Sequence, residues 1–280
     1  MALNDISLTA GMRANLLNLQ QTVDLLNRTQ TRLSTGKKVN TPIDNPLNYF
    51  VAKSLNDRAS DISVAKDSMS EGIQAITAAN NGITAINALV SAAKGIATSA
   101  LSASSADIAN LESQYNGVLT QITNAANNSF YKGTNLLNSA SNTLTINLGD
   151  SSSLTVTGYN VTTSGAGSLS ISQASGSGLD WSIGGLSSTA ITASIGQLDT
   201  ANTTLRVDSQ GLSSNSNIVT IRQDFANNMI ATLTKGADNL TLADMNEEGA
   251  NMLMLQTRQA LGISALGLSA QAAQSVLKLF

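Results

Sequence analysis

The 280-residue chain contains no cysteine and no histidine. Zinc sites rely largely on thiolate and imidazole ligands, and the Ser-His-Asp and Cys-His nucleophiles need a histidine base, so these sites are excluded. A disulfide framework is excluded as well. Glu247 and Glu248 are adjacent on a predicted helix, where neighbouring side chains point in different directions and cannot flank one substrate. We therefore expect no catalytic residues, no metal and no cofactor.

Charge is also scarce. Lys and Arg total 15, Asp and Glu total 18, and the net charge is -3. Nucleic-acid binding depends on basic surface that neutralises phosphates, and the adjacent pair Lys37 and Lys38 is better explained as a solvated helix end. The composition therefore predicts no nucleic-acid partner.

Long apolar runs and targeting signals are missing too. Residues 1–10 lack the basic start and apolar core of a cleaved signal peptide, and no apolar run approaches the roughly 18 residues of a membrane span. We expect no membrane insertion, and targeting rules taken alone indicate the cytoplasm.

What the chain does contain is helical periodicity at both ends. Residues 5–34 predict a first helix, because their apolar positions follow alternating steps of four and three, broken only by Gln30: Met12, Leu16, Leu19, Val23, Leu26 and Leu33. Gly36 then provides a helix stop. Pro42 and Pro46 cannot continue a helix but can begin one, so this region predicts a sharp joint between two long helices.

Apolar residues recur every seven positions on both sides of the middle of the chain. The repeat comprises Leu55, Ile62, Met69, Ile76, Ile83 and Val90, and then Leu198, Leu205, Leu212 and Val219. Beside each apolar repeat runs a second row of positions that includes polar residues, such as Asn80 and Ser209. Polar residues in such a row tend to fix the register between two packed helices. The pattern predicts a mainly α protein in which N- and C-terminal segments form a long antiparallel bundle with this heptad core. An extended coiled-coil dimer is the alternative, which Gly36 and the prolines disfavour.

Between the repeats, residues 138–190 are rich in Ser, Thr and Gly. Short apolar alternations predict strands: Leu144, Ile146 and Leu148; Leu154 and Val156; Leu169 and Ile171; Trp181 and Ile183. We expect a small β-rich insert, with a flexible linker as the alternative. Exposed hydroxyls between Ser139 and Ser194 offer acceptors for O-linked sugars, at positions that the sequence does not specify.

The last thirty residues are apolar on every side of the predicted helix. Ordering a residue costs about 1.5 kcal/mol, and burying a large apolar side chain contributes about 1.5 to 3 kcal/mol. A helix that leaves half of its apolar surface exposed to water is therefore not stable on its own. The first helix can cover one side, and further copies of the chain are the natural cover for the rest. The predicted polymerisation interface combines residues of the first and last helices: Leu16, Leu19, Val23, Leu26, Leu33, Met252, Leu255, Ile263, Leu266, Val276 and Leu279.

Five short stretches then establish a resemblance. They are Asn15-Leu16-Leu17 with Gln20, Arg32-Leu33-Ser34-Thr35-Gly36, Asp44-Asn45-Pro46, Phe130-Tyr131-Lys132-Gly133-Thr134-Asn135-Leu136-Leu137, and Gln274-Ser275-Val276-Leu277-Lys278-Leu279-Phe280. In this order, and on helices with heptads, they resemble bacterial flagellins, and the Asp-Asn-Pro variant is similar to the alphaproteobacterial branch. The resemblance covers residues 1–138 and 190–280.

The resemblance implies a structural subunit that polymerises with itself into the extracellular flagellar filament. Residues 1–40 with 240–280 would line the inner tube, residues 41–138 with 190–239 would form the surrounding bundle, and residues 139–189 would face solvent. It also implies export in an unfolded state through the flagellar type III secretion channel, which needs no cleaved signal. The implied partners are the hook-filament junction protein, the filament cap protein, the export apparatus and an export chaperone.

Two rival functions stay open at this point. A hook-filament junction protein shares flagellin-like ends but caps a hook, and the short middle and the Val276 to Phe280 ending favour a filament subunit over it. A secreted enzyme or adhesin could use the middle as its active module. The lack of histidine excludes the zinc version of that enzyme, and the middle shows no evident acid-base pair.

Overall fold

The computed structural model of the chain describes residues 10–165, 167–174, 179–181 and 187–277. These ranges contain five α-helices: α1 (Ala10–Thr35), α2 (Pro46–Ala100), α3 (Ser105–Asn128), α4 (Ser187–Thr241) and α5 (Met245–Leu277). Four short strands form two antiparallel pairs: β1 (Phe130–Tyr131) with β2 (Thr134–Asn135), and β3 (Thr143–Gly149) with β4 (Ser152–Thr157). The predicted mainly α fold with a small β-rich middle is confirmed.

The chain forms two compact units. The first consists of Met1–Arg58 with Thr232–Phe280, and the second of Ala59–Ala231. We call them the terminal unit and the central unit. None of the helices in the described ranges has a stretch long and apolar enough to cross a membrane.

The heptad residues of α2 and α4 supply much of the core of the central unit. Nine of the ten predicted core residues are buried: Ile62, Met69, Ile76, Ile83, Val90, Leu198, Leu205, Leu212 and Val219. Leu55 lies in the terminal unit, where it is half-buried near Gly236. A seven-residue repeat keeps these side chains on one face of each helix, so the two helices share a continuous apolar seam.

Polar side chains beside the apolar seam also join α2 to α4. The hydroxyl of Ser209 donates to Oδ1 of Asn80 at 3.2 Å, and Nε2 of Gln223 donates to Oγ of Ser70 at 2.7 Å. Lys94 forms an ion pair with Asp199. Residues with higher numbers on α2 contact residues with lower numbers on α4, so the two helices are antiparallel. Directional hydrogen bonds fix this register more strictly than apolar contacts alone.

The hairpin of β3 and β4 packs on α2. Asp150 and Ser151 form its turn, and both have positive φ, the geometry that suits tight two-residue hairpins. Ile146 is buried against Gly72 of α2, where an added Cβ would lie only 2.4 Å from Cδ1 of Ile146. A glycine inside a helix costs stability, and here it permits this close approach.

A second hairpin, β1 with β2, follows α3 and was not predicted. Its two turn residues, Lys132 and Gly133, have positive φ. The buried Asn135 donates from Nδ2 to the carbonyls of Ala126 and Asn127, both at 2.9 Å, and thereby satisfies the free end of α3. One side chain therefore ends the helix and holds the hairpin.

The predicted strand at Leu169 and Ile171 is not a strand, and the one predicted at Trp181 and Ile183 lies largely outside the described residues. Leu169 and Ile171 are buried in a segment without regular structure, so their alternation reflects burial and not strand pairing. Trp181 is buried beside Tyr115, with ring centroids 4.7 Å apart, and its indole N–H donates to Ser194 at 3.2 Å. Ile183 lies outside the described residues.

Asp208 of α4 is a carboxylate in the core of the central unit. It is 7% exposed, and burial raises its pKa to about 6. Burial also raises the pKa of Tyr159, and the charge of Asp208 adds to that shift. Desolvation disfavours the charged form, so the folded state binds this proton more tightly than the unfolded chain.

Asp208 should therefore make the central unit more stable as the solution becomes mildly acidic. Its contribution is fully present below the unfolded pKa, 3.8, and is lost as pH rises through about 6. We expect Asp208→Asn to raise the free energy of unfolding by about 1 to 3 kcal/mol at pH 7.5 and to flatten its dependence between about pH 4 and pH 7. Denaturant titration followed by Trp181 fluorescence measures this.

The matched control for Asp208→Asn is Asp224→Asn, which removes an exposed charge from the same helix. We expect it to change neither the stability nor the pH dependence appreciably. Equal pH dependence in Asp208→Asn and the unchanged chain would contradict the assignment.

Candidate functional site: the paired terminal helices

Helices α1 and α5 pair in the terminal unit. Arg32 of α1 contacts Glu248 of α5, and an added Cβ at Gly262 would lie 3.2 Å from Cδ1 of Leu19. The partner number on α5 falls as the residue number on α1 rises, so the two helices are antiparallel. The pair brings together helices from the N-terminal and C-terminal parts of the chain, as the sequence predicted.

The connections that follow α1 and precede α5 are joined by backbone hydrogen bonds. Gly36 ends α1 with a φ of +69°, which residues with a side chain rarely adopt. The amide of Lys38 donates to the carbonyl of Thr241 at 2.7 Å, and the amide of Ala243 donates to the carbonyl of Gly36 at 2.9 Å. We call this paired region the joint. It fixes where α1 ends relative to where α5 begins.

Short polar side chains organise both connections. Oδ2 of Asp44 accepts hydrogen bonds from the amides of Thr41 and Asn40, and chiefly the Thr41 amide lowers the pKa of Asp44. Oδ1 of Asn45 accepts from the amide of Asn48 and caps α2 one residue before Pro46. The Asp-Asn-Pro stretch is therefore a turn followed by a helix start.

Helix α5 begins in a similar way. Oδ1 of Asp244 accepts hydrogen bonds from the amides of Asn246 and Glu247, at 2.9 and 3.3 Å. A carboxylate at this position satisfies free amides and interacts favourably with the helix dipole. Both long connections thus end in a capped helix.

Arg32 and Glu248 form an ion pair beside the joint. Nη1 of Arg32 lies 2.8 Å from Oε1 of Glu248, and the side chain of Glu248 is largely buried. Nε of Arg32 is buried without a hydrogen-bond partner among the described residues. Removing the carboxylate charge would leave this guanidinium with little compensation, which is costly for a partly buried charge.

The predicted interface residues divide into three groups. Leu255 is buried inside the chain, whereas Leu19, Val23, Leu26, Leu33, Met252 and Leu266 are half-buried. Leu16 and Ile263 are exposed, the latter by 56%. Leu279 and the side chain of Val276 lie outside the described residues. The intrachain pairing therefore covers part of this set and leaves part of it open.

The structure exposes further large apolar side chains that the predicted interface does not include. Leu17 and Leu25 lie on α1, away from the stripe of Leu19 and Leu26. On α5 the further exposed residues are Met245, Leu253, Met254, Leu261 and Leu268, and Leu268 is 68% exposed. The sequence signal that marks the residues on α5 is the apolar character of that helix on every side, because one partner helix covers only one face.

The surface of this helix pair is suited to association. Arg258 is the one charged residue in positions 249–277, so α5 presents mainly apolar side chains with little charge between them. In the described ranges no group of three or more carboxylates is placed to hold a metal ion. Apolar contact is the interaction that such a surface offers to a partner.

Comparison with known proteins gives full-length matches. The sequence profile described as "Bacterial flagellin N-terminal helical region" matches residues 6–143. The chain is 30% identical to Flagellin FljO and to Flagellin FljK of Caulobacter vibrioides over 284 residues, covering 100% of each protein. It is 27% identical to the flagellin of Brucella melitensis over 282 residues, covering 99% of this chain and 97% of that protein.

Replacing Glu248 should loosen the joint. Hydrogen bonds to charged groups contribute about 1.5 to 3 kcal/mol, so we expect Glu248→Gln to speed hydrogen exchange of the Lys38 and Ala243 amides by about 10- to 100-fold. Mass-spectrometric exchange on peptides covering both connections measures this. Glu247→Gln, an exposed neighbour, serves as the control, and equal protection in the two variants would show that the ion pair does not hold the joint.

Proposed function

Because this chain belongs to the bacterial flagellin family, we propose that copies of it polymerise through the exposed apolar surface of α1 and α5. The chain is a structural subunit of the flagellar filament, and its place is outside the cell. The single observation that supports the proposed surface is the set of large apolar side chains left open on α5 after α1 has packed against it.

The distribution of these side chains indicates more than one neighbour. Leu253, Leu261 and Ile263 point in clearly different directions around α5, because successive residues of a helix turn by about 100°. One flat partner could cover only one of these directions. A helical polymer surrounds each subunit with several copies, and repeated head-to-tail contacts generate such a polymer.

We extend the proposal to the layout of the filament. Residues 1–40 with 240–280 line the inner tube, residues 41–138 with 190–239 form the surrounding bundle, and residues 139–189 face solvent. The burial of the heptads of α2 and α4 supports a bundle role, and the open surface of α5 supports a place for the termini among other copies. No catalytic role is proposed, because flagellins are a family of structural proteins.

The proposal includes the route and the neighbours of the subunit. The chain is exported unfolded through the flagellar type III secretion channel, and its contacts include the export apparatus, an export chaperone, the hook-filament junction protein and the cap protein. The lack of cysteine suits this route, because no disulfide can trap the chain before it passes. The full-length matches to flagellins favour a filament subunit over a junction protein.

Purified chain should elongate into long filaments when seeded, whereas a junction protein should not. We expect Ile263→Asp to raise the critical concentration for polymerisation by at least about tenfold, because burying one large apolar side chain is worth about 1.5 to 3 kcal/mol. Sedimentation and negative-stain microscopy measure the polymer.

Gln256→Asp is the matched control for Ile263→Asp. Gln256 is exposed two turns earlier on the same side of α5, so the variant adds the same charge without removing an apolar side chain. We expect a much smaller change in its critical concentration. Unimpaired assembly of Ile263→Asp would argue against α5 as a contact surface.

A further inference from the structure

A small positively charged pocket lies in the terminal unit, where the end of α1 meets the connection to α2. Its volume is about 200 Å³. Four of its lining residues are cations, namely Arg28, Arg32, Lys37 and Lys38, and Asp44 is the one carboxylate among the described lining residues. The chain as a whole carries a net charge of -3, so this concentration of positive charge is local. We call it the cation pocket.

The fold brings these cations together from two neighbouring segments. Arg28 and Arg32 are one turn apart on α1 and therefore lie on the same face. Gly36 ends that helix, and the backbone of Lys38 is held at the joint by its hydrogen bond to Thr241. Like charges grouped in this way repel each other, and the repulsion opposes the joint unless an opposite charge lies nearby.

The carboxylates of the adjoining surface already have donors of their own. Oδ2 of Asp44 accepts hydrogen bonds from two backbone amides, and Oδ1 of Asp244 accepts from two amides at the start of α5. Glu248 is held by Arg32, and Asp57 pairs with the lysine one turn before it on α2. All four carboxylates therefore have partners.

The other three cations of the pocket lack such a partner. Among the residues that the structure describes, no carboxylate oxygen lies within 4.0 Å of a charged nitrogen of Arg28, Lys37 or Lys38. This includes Asp24 and Glu247, which are exposed on α1 and α5. A concave surface lined by one sign of charge focuses its field and concentrates counter-ions from solution. The cation pocket therefore attracts an anion from outside the chain.

The size and the side chains of the pocket select the class of anion. A water molecule occupies about 30 Å³, so the pocket has room for roughly six such volumes, which suits one tetrahedral oxyanion with a few waters and not a protein segment. Arginine presents a planar fork of N–H donors and lysine a compact positive charge, and both bind phosphate-like groups. Several cations around one anion favour a divalent ion over a monovalent one.

We propose that the cation pocket binds a free divalent oxyanion of the phosphate and sulfate class. Arg28 and Arg32 contact the anion from α1, and Lys37 and Lys38 contact it from the connection that follows. The bound anion removes the repulsion among these side chains and ties the end of α1 to the connection, so it stabilises the joint. A ligand that binds only the folded arrangement stabilises that arrangement. The site uses no apolar surface and does not require a polymer.

A phosphorus-31 NMR titration of inorganic phosphate with the full chain tests the binding, at pH 7.5 and at an ionic strength kept constant with sodium chloride. We expect the double variant Arg28→Gln with Lys37→Gln to bind phosphate at least about tenfold more weakly, because it loses two charge-assisted contacts. Sulfate should compete with phosphate in the unchanged chain. Lys235→Gln removes an exposed cation from the same unit and should change the affinity by less than about twofold.

Hydrogen exchange measures the effect of the anion on the joint. We expect sodium sulfate to slow exchange of the Lys38 and Ala243 amides by at least about fivefold relative to sodium chloride of equal ionic strength. The double variant should show no such difference between the two salts. Monomeric and polymerised chains are both measured, and far-UV circular dichroism checks that the exposed substitutions leave the helices folded.

The outcomes decide the site independently of polymerisation. Equal phosphate binding by the unchanged chain and the double variant overturns the proposal, as does an absence of binding in both the monomer and the polymer. A loss in Lys235→Gln as large as that in the double variant also overturns it, because diffuse attraction then accounts for the binding. Competition by sulfate supports a site that recognises charge, and binding of phosphate alone supports the same site with phosphate as its ligand.

Discussion

Helix α5 has apolar side chains on more sides than one partner helix can cover. The arrangement of the terminal unit depends on this excess of apolar surface. A helix in water is stable when its apolar face is buried, and a helix that is apolar around its circumference needs cover around its circumference. Within one copy Leu255 is buried and Met252 and Leu266 are half-buried, while Leu253, Leu261 and Leu268 stay open. A single copy thus leaves part of the apolar surface of α5 open, and this is the surface through which we propose that copies associate.

The joint makes this pairing specific. Apolar contacts between two helices tolerate sliding, whereas hydrogen bonds and ion pairs do not. Backbone hydrogen bonds between Lys38 and Thr241 and between Ala243 and Gly36 fix the connection after α1 and the connection before α5 in one register. The ion pair of Arg32 and Glu248 holds α1 to α5 beside them. The open apolar surface is therefore presented in one defined arrangement, which a regular polymer requires.

In the central unit, hydrogen bonds also fix the register of two helices that are held together by apolar contacts. Helices α2 and α4 share a long apolar seam, and a uniform seam would allow several registers. Hydrogen bonds from Ser209 to Asn80 and from Gln223 to Ser70 select one of them. Gly72 lets the β3–β4 hairpin approach α2 closely, and Asn135 ties the end of α3 to the next hairpin. Polar and small residues thus define positions, while the heptads provide the burial.

The sequence by itself determined the helices and their faces, because heptad spacing, the stop at Gly36 and the start at Pro46 act over a few neighbouring residues. It also indicated that α5 has too much apolar surface for one chain. Only the tertiary structure decided which of those side chains stay open, such as Leu17 and Leu25, and that Leu169 and Ile171 are buried without forming strands. It also assigned the partners of Asn135, Glu248 and Asp208. Burial, hydrogen bonding and pKa at these positions depend on residues distant in the chain, and the spacing of neighbours along a sequence carries no record of them.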